Sequence, residues 1–304
     1  MGRGGGVFPF LKRGRGAARI ARPRVALATC ATLPDLDPDD RPLVAALAEH
    51  EISAVPAIWD DPAVDWPSFA LVVLRSTWDY AERRDEFLAW ADSVPRLANP
   101  AGVVRWNTDK RTYLPELGRA GVPVVDTVFL RPGDGLDPQP GTFVVKPSIS
   151  AGGRSSGRFE PDDLESARAL VDEIHAAGRW AMVQPFLPDR ERGETGVVCL
   201  AGSIAHAVER RVPLPDPAGP RPSLYLDETI RTREATADEQ DVAARALAVV
   251  PDARDLLYAR VDLLHDDAGA PLVLELEVTE PSLYLSHAHG SVERLAAAIA
   301  RRMH

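Results

Sequence analysis

The stretch LLYARVDLLHDDAGAPLVLELEVTEPS, residues 256–282, decides the fold, because it predicts two strands joined by a tight Asp-Asp-Ala-Gly turn. Side chains alternate along a strand, so Arg260 and Asp262 share one face of the first strand. Glu275 and Glu277 share one face of the second strand. A turn at this position places Asp262 opposite Glu275, which predicts three carboxylates on one face of a hairpin.

These three acidic residues, Asp262, Glu275 and Glu277, destabilise a sheet when no counter-charge lies near them. Two carboxylates about 4 Å apart repel by about 4 kcal/mol at an effective dielectric constant of about 20. A bound cation removes this repulsion, and an all-oxygen ligand set favours Mg²⁺ over zinc. The alternative is a solvated polar face that binds nothing.

A second segment, GTFVVKPSISAGGRSSGRF at 141–159, ends an apolar strand at Lys146 and continues into a loop of small residues. Gly152 and Gly153 have no Cβ, so the backbone amides of this loop can approach a phosphate group. The alternative is an ordinary surface loop. The letters at 153–157 match the GxSxG pattern of serine hydrolases, but the serine does not sit at a direct strand-to-helix turn, which disfavours that chemistry.

A third segment, NPAGVVRWNTDKRTYL at 99–114, carries Lys110 in the first turn of a predicted helix at 107–120. A lysine at a helix N-terminus can face an anion that is bound there. Taken alone, Lys110 is equally well a surface lysine.

Taken together in chain order, the three segments resemble the ATP-grasp superfamily of carboxylate–amine ligases, and the resemblance covers most of residues 99–293. The resemblance implies a triphosphate held by Lys110 and Lys146 under the glycine-rich loop. It also implies ATP contacts from the loop, from an adenine hinge at 182–187 and from later strands, at Ser148, Gly152, Gly153, Gln184, Phe186, Leu187, Glu194 and Arg210.

The hinge departs from the family pattern at two positions. Gln184 stands where a glutamate is frequent, and Pro185 has no N–H, so the adenine donor would be Leu187. The resemblance assigns Glu194 to the ribose hydroxyls. It assigns a basic residue at the end of SIAHAVERR to the phosphates, either Arg210, which is favoured, or its neighbour Arg211.

The segment ELEVTEPS at 275–282 is similar to the Glu-Ile-Asn-Val-Thr-Ser-Pro stretch of bacterial glutathione synthetases. The resemblance makes Asp262, Glu275 and Glu277 the ligands of one or two Mg²⁺ ions, for which Mn²⁺ can substitute. It makes Arg260 the residue that stabilises the tetrahedral intermediate. Glu277 replaces the usual asparagine and adds a negative charge, which leaves the metal stoichiometry open.

The segment RSTWDY at 75–80, together with NTDK, HAV and LELEVTEPSL, resembles the subgroup that contains the ligase closing O-ureido-D-serine to cycloserine. The substrate would then be amino-acid-like and lie where a strand of the first unit ends. Arg75 is predicted to bind its carboxylate and Asp79 its ammonium group, and the predicted substrate set is Arg75, Ser76, Asp79 and Ser282. Alternatively, the aromatic residues of RSTWDY only pack a domain interface.

From Arg24 onward the apolar period alternates between two and 3.6 residues, which is typical of α/β proteins. The pattern therefore predicts an α/β fold that begins with a small doubly wound unit, and the resemblance implies that an ATP-grasp fold follows this unit. The expected boundaries are a disordered basic tail at 1–23, the first unit at 24–100 and an ATP-grasp domain at 101–304. That domain divides into a central part at about 107–185 and a C-terminal part at about 186–304. A proline-rich surface loop is expected at 212–222.

The composition, with 45% hydrophobic and 26% charged residues among 304, is that of a globular chain without a long apolar run. Because the formal net charge is −10 and residues 1–24 carry seven basic and no acidic residues, the remaining chain carries −17. An acidic body repels nucleic acid. The two cysteines predict no disulfide framework, which indicates the cytoplasm.

The resemblance implies an ATP-dependent ligase that activates a substrate carboxylate as an acyl phosphate and joins it to an amine, with ring closure when both groups belong to one molecule. The alternatives are a small-molecule kinase on the same fold and a nucleotide-binding regulator without turnover. A small-molecule partner is expected, without nucleic acid or membrane, and a homo-oligomer is left open.

Overall fold

The computed structural model describes residue 1 and residues 22–152, 155–187, 193–211, 224 and 228–303. Most of the predicted basic tail, Gly153 and the proline-rich loop at 212–222 lie outside the described residues. None of the helices within the described ranges is long and apolar enough to span a membrane.

The first unit is a three-stranded parallel sheet in the order β2-β1-β3. Its elements are β1 (Arg24–Thr29), α1 (Pro42–Glu49), β2 (Ser53–Ile58), β3 (Leu71–Ser76) and α2 (Arg84–Ser93). Alternate residues of β1 enter two different apolar clusters, so both faces of the sheet are covered. This confirms the doubly wound arrangement that the apolar runs predicted.

The central part contains a four-stranded antiparallel sheet in the order β4-β7-β5-β6. Its elements are α3 (Ala101–Asn107), α4 (Lys110–Arg119), β4 (Val128–Leu130), β5 (Phe143–Pro147), β6 (Gly157–Phe159), α5 (Leu164–Ala176) and β7 (Ala181–Pro185). The single helix predicted at 107–120 is wrong at its start, because Asp109 caps a new helix by accepting the backbone N–H of Arg111.

The C-terminal part is built on a five-stranded antiparallel sheet in the order β10-β9-β8-β11-β12. Its elements are β8 (Glu194–Leu200), β9 (Ser203–Arg211), β10 (Thr229–Arg233), α6 (Ala237–Val249), β11 (Tyr258–His265), β12 (Pro271–Glu277) and α7 (Ser291–Arg301). The predicted β11–β12 hairpin is present, and β8 pairs with β9 in a second hairpin. Strand β11 pairs with β12 so that Asp262 faces Glu275.

Helix α7 connects the C-terminal part to the first unit, because it packs against α1. Leu295 and Ile299 of α7 share a buried cluster with Leu43 and Leu47 of α1. The predicted boundary at residue 100 therefore does not divide the apolar core, because one buried cluster contains residues from both sides of it.

Asp39 and Asp40 come shortly before α1, but neither side chain caps the helix. The residue before the helix is Arg41, and no side chain caps the N-terminus. Asp40 instead pairs with Arg75, and Asp39 accepts hydrogen bonds from the backbone of residues 285–286. Both carboxylates thus hold the first unit together or join it to the C-terminal part.

Candidate active site

The predicted carboxylate cluster is present on the β11–β12 hairpin. Asp262, Glu275 and Glu277 each offer one oxygen, and the three atoms lie within 4.8 Å of one another. The pairing of Asp262 with Glu275, and of Arg260 with Glu277, produces this convergence directly from strand register.

Both predicted lysines reach the cluster from the central part of the chain. Lys146, near the end of β5, places its Nζ 2.8 Å from Oε1 of Glu275. Lys110, the first residue of α4, places its Nζ 3.5 Å from the same oxygen. Although burial opposes ionisation of Glu275, the charges of Lys110 and Lys146 hold its pKa well below the usual range.

Arg260 lies on the same face of the hairpin and neutralises two of the acids. Its Nε and Nη2 are 2.8 and 2.9 Å from the two oxygens of Asp262, and Nη2 is 2.8 Å from Oε1 of Glu277. Its Nη1 donates to the carbonyl of Ser282 at 2.8 Å. Two carboxylates and a carbonyl therefore fix the orientation of this guanidinium.

Arg210, in β9, approaches the cluster from the other side. It forms ion pairs with Asp262, with Glu194 at 3.4 Å and with Glu228 at 2.8 Å. Arg211 pairs instead with its strand neighbour Glu209 at 3.2 Å and is exposed. Strand alternation thus directs Arg210, and not Arg211, to the site.

Glu277 has the opposite titration behaviour to Glu275. Burial raises its pKa to about 7, and the charges of Asp262 and Glu275 add to this effect, while Arg260 opposes it. A divalent cation beside these oxygens would favour the ionised form. The donor set, three carboxylate oxygens that converge on one point, fits a hard divalent cation.

A cavity of about 630 Å³ lies over this cluster. Its wall contains most of the predicted charged residues and several that were not predicted, among them Lys110, Lys146, Gly152, Glu194, Arg210, Glu228, Arg260, Glu275, Glu277, Glu280, Ser282 and Tyr284. Asp262 lies behind this wall and is 1% exposed.

The predicted hinge lies beside the cavity rather than on its wall, as far as the described residues show. The side chain of Gln184 is buried and donates to the hydroxyl of Thr127. The N–H of Phe186 donates to the carbonyl of Thr142 at 2.8 Å. Leu187 packs with an apolar cluster that includes the wall residue Leu274.

The loop after β5 is only partly within the described residues. Gly152 is on the cavity wall with a φ of +64°, a conformation that favours glycine. Ser148 is buried, and its hydroxyl has no hydrogen-bond partner within the described ranges.

Arg75 and Ser76 are placed away from the cavity, which corrects their assignment to substrate binding. Arg75 is fully buried, pairs with Asp40 at 2.9 Å and donates to the carbonyl of Pro281 at 2.9 Å. Ser76 is buried between Asp37 and Asp40. Arg75 thus holds the first unit against the C-terminal part, Ser76 bonds within the first unit, and the side chains of both are buried away from the cavity wall.

The assignment of Asp79 to substrate binding is also corrected. Its carboxylate accepts a hydrogen bond from Nε1 of Trp59 at 2.8 Å, and the residue is absent from the described cavity wall. The neighbouring aromatic residues Trp78 and Tyr80 are on that wall. These aromatic residues therefore both line the cavity and pack between the two parts of the chain, since the Nε1 of Trp78 also donates to the carbonyl of Glu280 at 3.0 Å.

Three residues of the cavity wall were not predicted from the sequence: Glu280, Glu228 and Tyr284. Glu280 stands in ELEVTEPS, where the compared glutathione-synthetase stretch has serine, so the extra carboxyl group was a visible signal. Burial, followed by the charge of Glu277, raises the pKa of Glu280 to about 8. Glu228 and Tyr284 carried no motif; they meet over Arg210, and the Tyr284 hydroxyl donates to Glu228 at 2.7 Å.

The two antiparallel sheets and the lysine–carboxylate site between them define the class of ATP-grasp ligases, which use ATP and a divalent metal to join a carboxylate to an amine. Residues 136–284 match the ATP-grasp domain of prokaryotic glutathione synthetases, and residues 25–99 match the N-terminal domain of D-cycloserine synthetase DcsG. This chain belongs to the DcsG family of ATP-grasp ligases.

The cycloserine biosynthesis protein DcsG of Streptomyces lavendulae is 37% identical over 298 residues, which cover 92% of this chain and 98% of that protein. The crystal structure of D-cycloserine synthetase DcsG superposes with a TM-score of 0.83 at 34% identity, covering 92% of this chain and all of that one. D-alanine–D-alanine ligase from Bacillus anthracis, at 14% identity over 92% of this chain and 97% of its own, has a TM-score of 0.65 and shares the fold. The predicted fold and the predicted ATP-dependent ligase activity are confirmed.

Proposed function

We propose that this ligase activates the carboxylate of an amino-acid-like substrate and closes it onto a nitrogen of the same molecule, as in the formation of cycloserine from O-ureido-D-serine. The observation that supports this substrate is the match of residues 25–99 to the N-terminal domain of D-cycloserine synthetase. That unit supplies Trp78 and Tyr80 to the wall of the cavity.

ATP would lie with its phosphates between Lys110, Lys146 and Arg210, under the loop at Gly152. Adenine would contact the backbone of the hinge at 182–187, and Glu194 would accept hydrogen bonds from the ribose. The support is electrostatic, because both lysines pair with Glu275 and Arg210 pairs with Asp262 of the same carboxylate cluster, and all three basic residues line the cavity.

The divalent ion would be Mg²⁺, held by Asp262, Glu275 and Glu277. When bound, Mg²⁺ neutralises charge on the transferring phosphoryl group. Strand pairing already brings one oxygen from each of these three residues within 4.8 Å of the others.

In the first chemical step, a carboxylate oxygen of the substrate attacks the γ-phosphorus, and the bond to the ADP oxygen breaks. The product is an acyl phosphate. In the second step, the nitrogen attacks the acyl carbon and loses its proton, and phosphate leaves with the C–O bonding pair. Arg260 stabilises the oxyanion of the tetrahedral intermediate, because its guanidinium is fixed by Asp262, Glu277 and the Ser282 carbonyl.

The experiment is an assay of ADP release from Mg-ATP with O-ureido-D-serine as the only added amino acid, followed by mass analysis. We expect ADP together with a product one water lighter than the substrate, or one that has also lost its carbamoyl group. ADP release that leaves the amino acid unchanged, or a stable phosphorylated product, would overturn the proposal in favour of an ATPase or a kinase. A cytoplasmic location and the absence of a nucleic-acid partner stay predictions.

A further inference from the structure

Glu280 presents a carboxyl group to the cavity from the segment that follows β12. The first unit holds this residue in two places. The hydroxyl of Tyr80 is hydrogen-bonded to its carboxyl group, and the Nε1 of Trp78 donates to its carbonyl. Because both aromatic residues also line the cavity, the carboxyl group of Glu280 has a fixed position where the two parts of the chain meet.

Most other carboxylates near the cavity already have a cation or a set of N–H donors. Glu275 meets two lysines, and Asp262 meets two arginines. Glu277 meets Arg260, and Glu228 meets Arg210. Asp39 accepts two backbone N–H groups and the Ser286 hydroxyl.

Glu280 differs from these, since no Lys, Arg or His nitrogen in the described part of the chain forms an ion pair with it. Its carboxyl group nonetheless lies in the electrostatic range of Lys110 and Arg260. It therefore stands next to the reaction centre as a half-buried acid without a cationic partner among the described residues.

An α-amino acid carries its amine and its carboxylate on one carbon. When the carboxylate lies among the metal ligands and Arg260, the amine must lie beside them. Asp39 and Asp37 are further wall carboxylates without an ion pair in the described ranges. Asp39 already has its N–H and O–H donors, and the charges that act on Asp37 are those of Asp39, Arg75 and Arg41, away from the reaction centre. Glu280 is therefore better placed than either.

We propose that Glu280 binds the α-ammonium group of the substrate and that Tyr80 positions its carboxyl group. The inference rests on the proposed function in one respect, that the substrate is an amino acid. Glu280 thereby selects amino acids over carboxylic acids that lack the amine, and it sets which face of the substrate carbon points to the ATP.

The test compares O-ureido-D-serine with its deaminated counterpart, 3-(ureidooxy)propanoic acid, in wild type, Glu280→Gln and the control Glu165→Gln. Glu165 lies in the exposed first turn of α5. We expect wild type and the control to prefer the amino acid by about a hundredfold in kcat/KM. Glu280→Gln should lose most of this preference, with a small change on the deaminated compound, and Tyr80→Phe should lose a smaller part of it.

An equal loss on both compounds in Glu280→Gln would show a structural role and overturn the inference. An unchanged preference would overturn it as well. Urea unfolding of each variant shows whether the fold is retained.

If wild type releases no ADP with O-ureido-D-serine, the proposed function fails, and the inference is tested by binding. Thermal stabilisation is then measured with Mg²⁺, a non-hydrolysable ATP analogue, and D-serine or D-alanine beside their deaminated counterparts. Glu280 as the amine-binding residue predicts stabilisation of wild type by the amino acids alone and none of Glu280→Gln. Equal responses to both kinds of compound, or none to either, would overturn the inference.

Discussion

Lys146 and Glu275 form an ion pair of 2.8 Å across two different sheets, 129 positions apart in the chain. The residue proposed to bind phosphate thus neutralises the residue proposed to bind the metal. Lys110 shares the same carboxylate oxygen. When Mg-ATP binds, the phosphates can pair with the lysines while the ion pairs with the carboxylate, so neither the lysines nor Glu275 would be left without a partner.

The pairing predicts that nucleotide binding depends on the metal. Without Mg²⁺, phosphates that draw the lysines away leave the carboxylate of Glu275 unpaired beside them. We expect EDTA to weaken the binding of a non-hydrolysable ATP analogue to wild type by about tenfold or more, measured by calorimetry. In Glu275→Gln the weakening by EDTA should be much smaller, and an equal weakening in both proteins would contradict this coupling.

The same substitution should remove turnover. Glu275→Gln deletes a proposed metal ligand and one negative charge, so we expect ADP release to fall by at least about a hundredfold. The assay is ADP release at saturating Mg-ATP, with Glu165→Gln as the matched surface control. Turnover of Glu275→Gln within about twofold of wild type would show that Glu275 does not hold the ion.

Glu277 offers a contrasting substitution, because the compared glutathione-synthetase stretch has asparagine at this position. Glu277→Asn keeps an oxygen ligand and removes one charge, so we expect ADP release to stay within about tenfold of wild type. The Mg²⁺ concentration for half-maximal activity should rise, since the site is less negative. A metal titration of the initial rate measures both quantities, and loss of all activity would show that the charge itself is required.

Arg75 is expected to act on stability and not on substrate affinity. Arg75→Met leaves Asp40 buried without its cation, which should cost about 3–5 kcal/mol in the free energy of unfolding. The double variant Arg75→Met, Asp40→Asn should recover much of that loss in urea denaturation. The KM for the amino acid should change by less than about threefold in the double variant. A large rise in KM would show that Arg75 binds the substrate after all.

The pH dependence of stability should report on Glu280. Its pKa in the folded protein is raised to about 8 from an ordinary value of 4.5, so the folded state holds a proton that the unfolded state has lost. This acid therefore makes the ligand-free protein less stable as pH rises from about 5 to about 8.

Glu280→Gln removes that effect, so the Tm of the variant relative to wild type should increase over the same interval. Thermal unfolding in EDTA at several pH values is the measurement. A constant difference between the two proteins would contradict the raised pKa.

The sequence by itself was enough for the hairpin and its charges. Strand alternation and a four-residue turn require Asp262 and Glu275 to face each other, because both rules act within one short segment. The lysines needed the family resemblance, since Lys110 and Lys146 are far from the hairpin in the chain and no local rule brings them to it. The resemblance also covered the two-part architecture.

Only the tertiary structure decided which residues of 75–80 face the cavity. Arg75 lies at the end of a strand that is buried on both faces, so alternation does not tell the two faces apart. The segment after β12 contacts Arg75 through the carbonyl of Pro281, whereas Trp78 and Tyr80 line the cavity. Glu280 follows a strand end, where no periodicity applies, and its position next to Tyr80 arises from contacts between segments about 200 residues apart. Local chemistry thus fixed the charged hairpin, whereas long-range packing fixed the substrate wall.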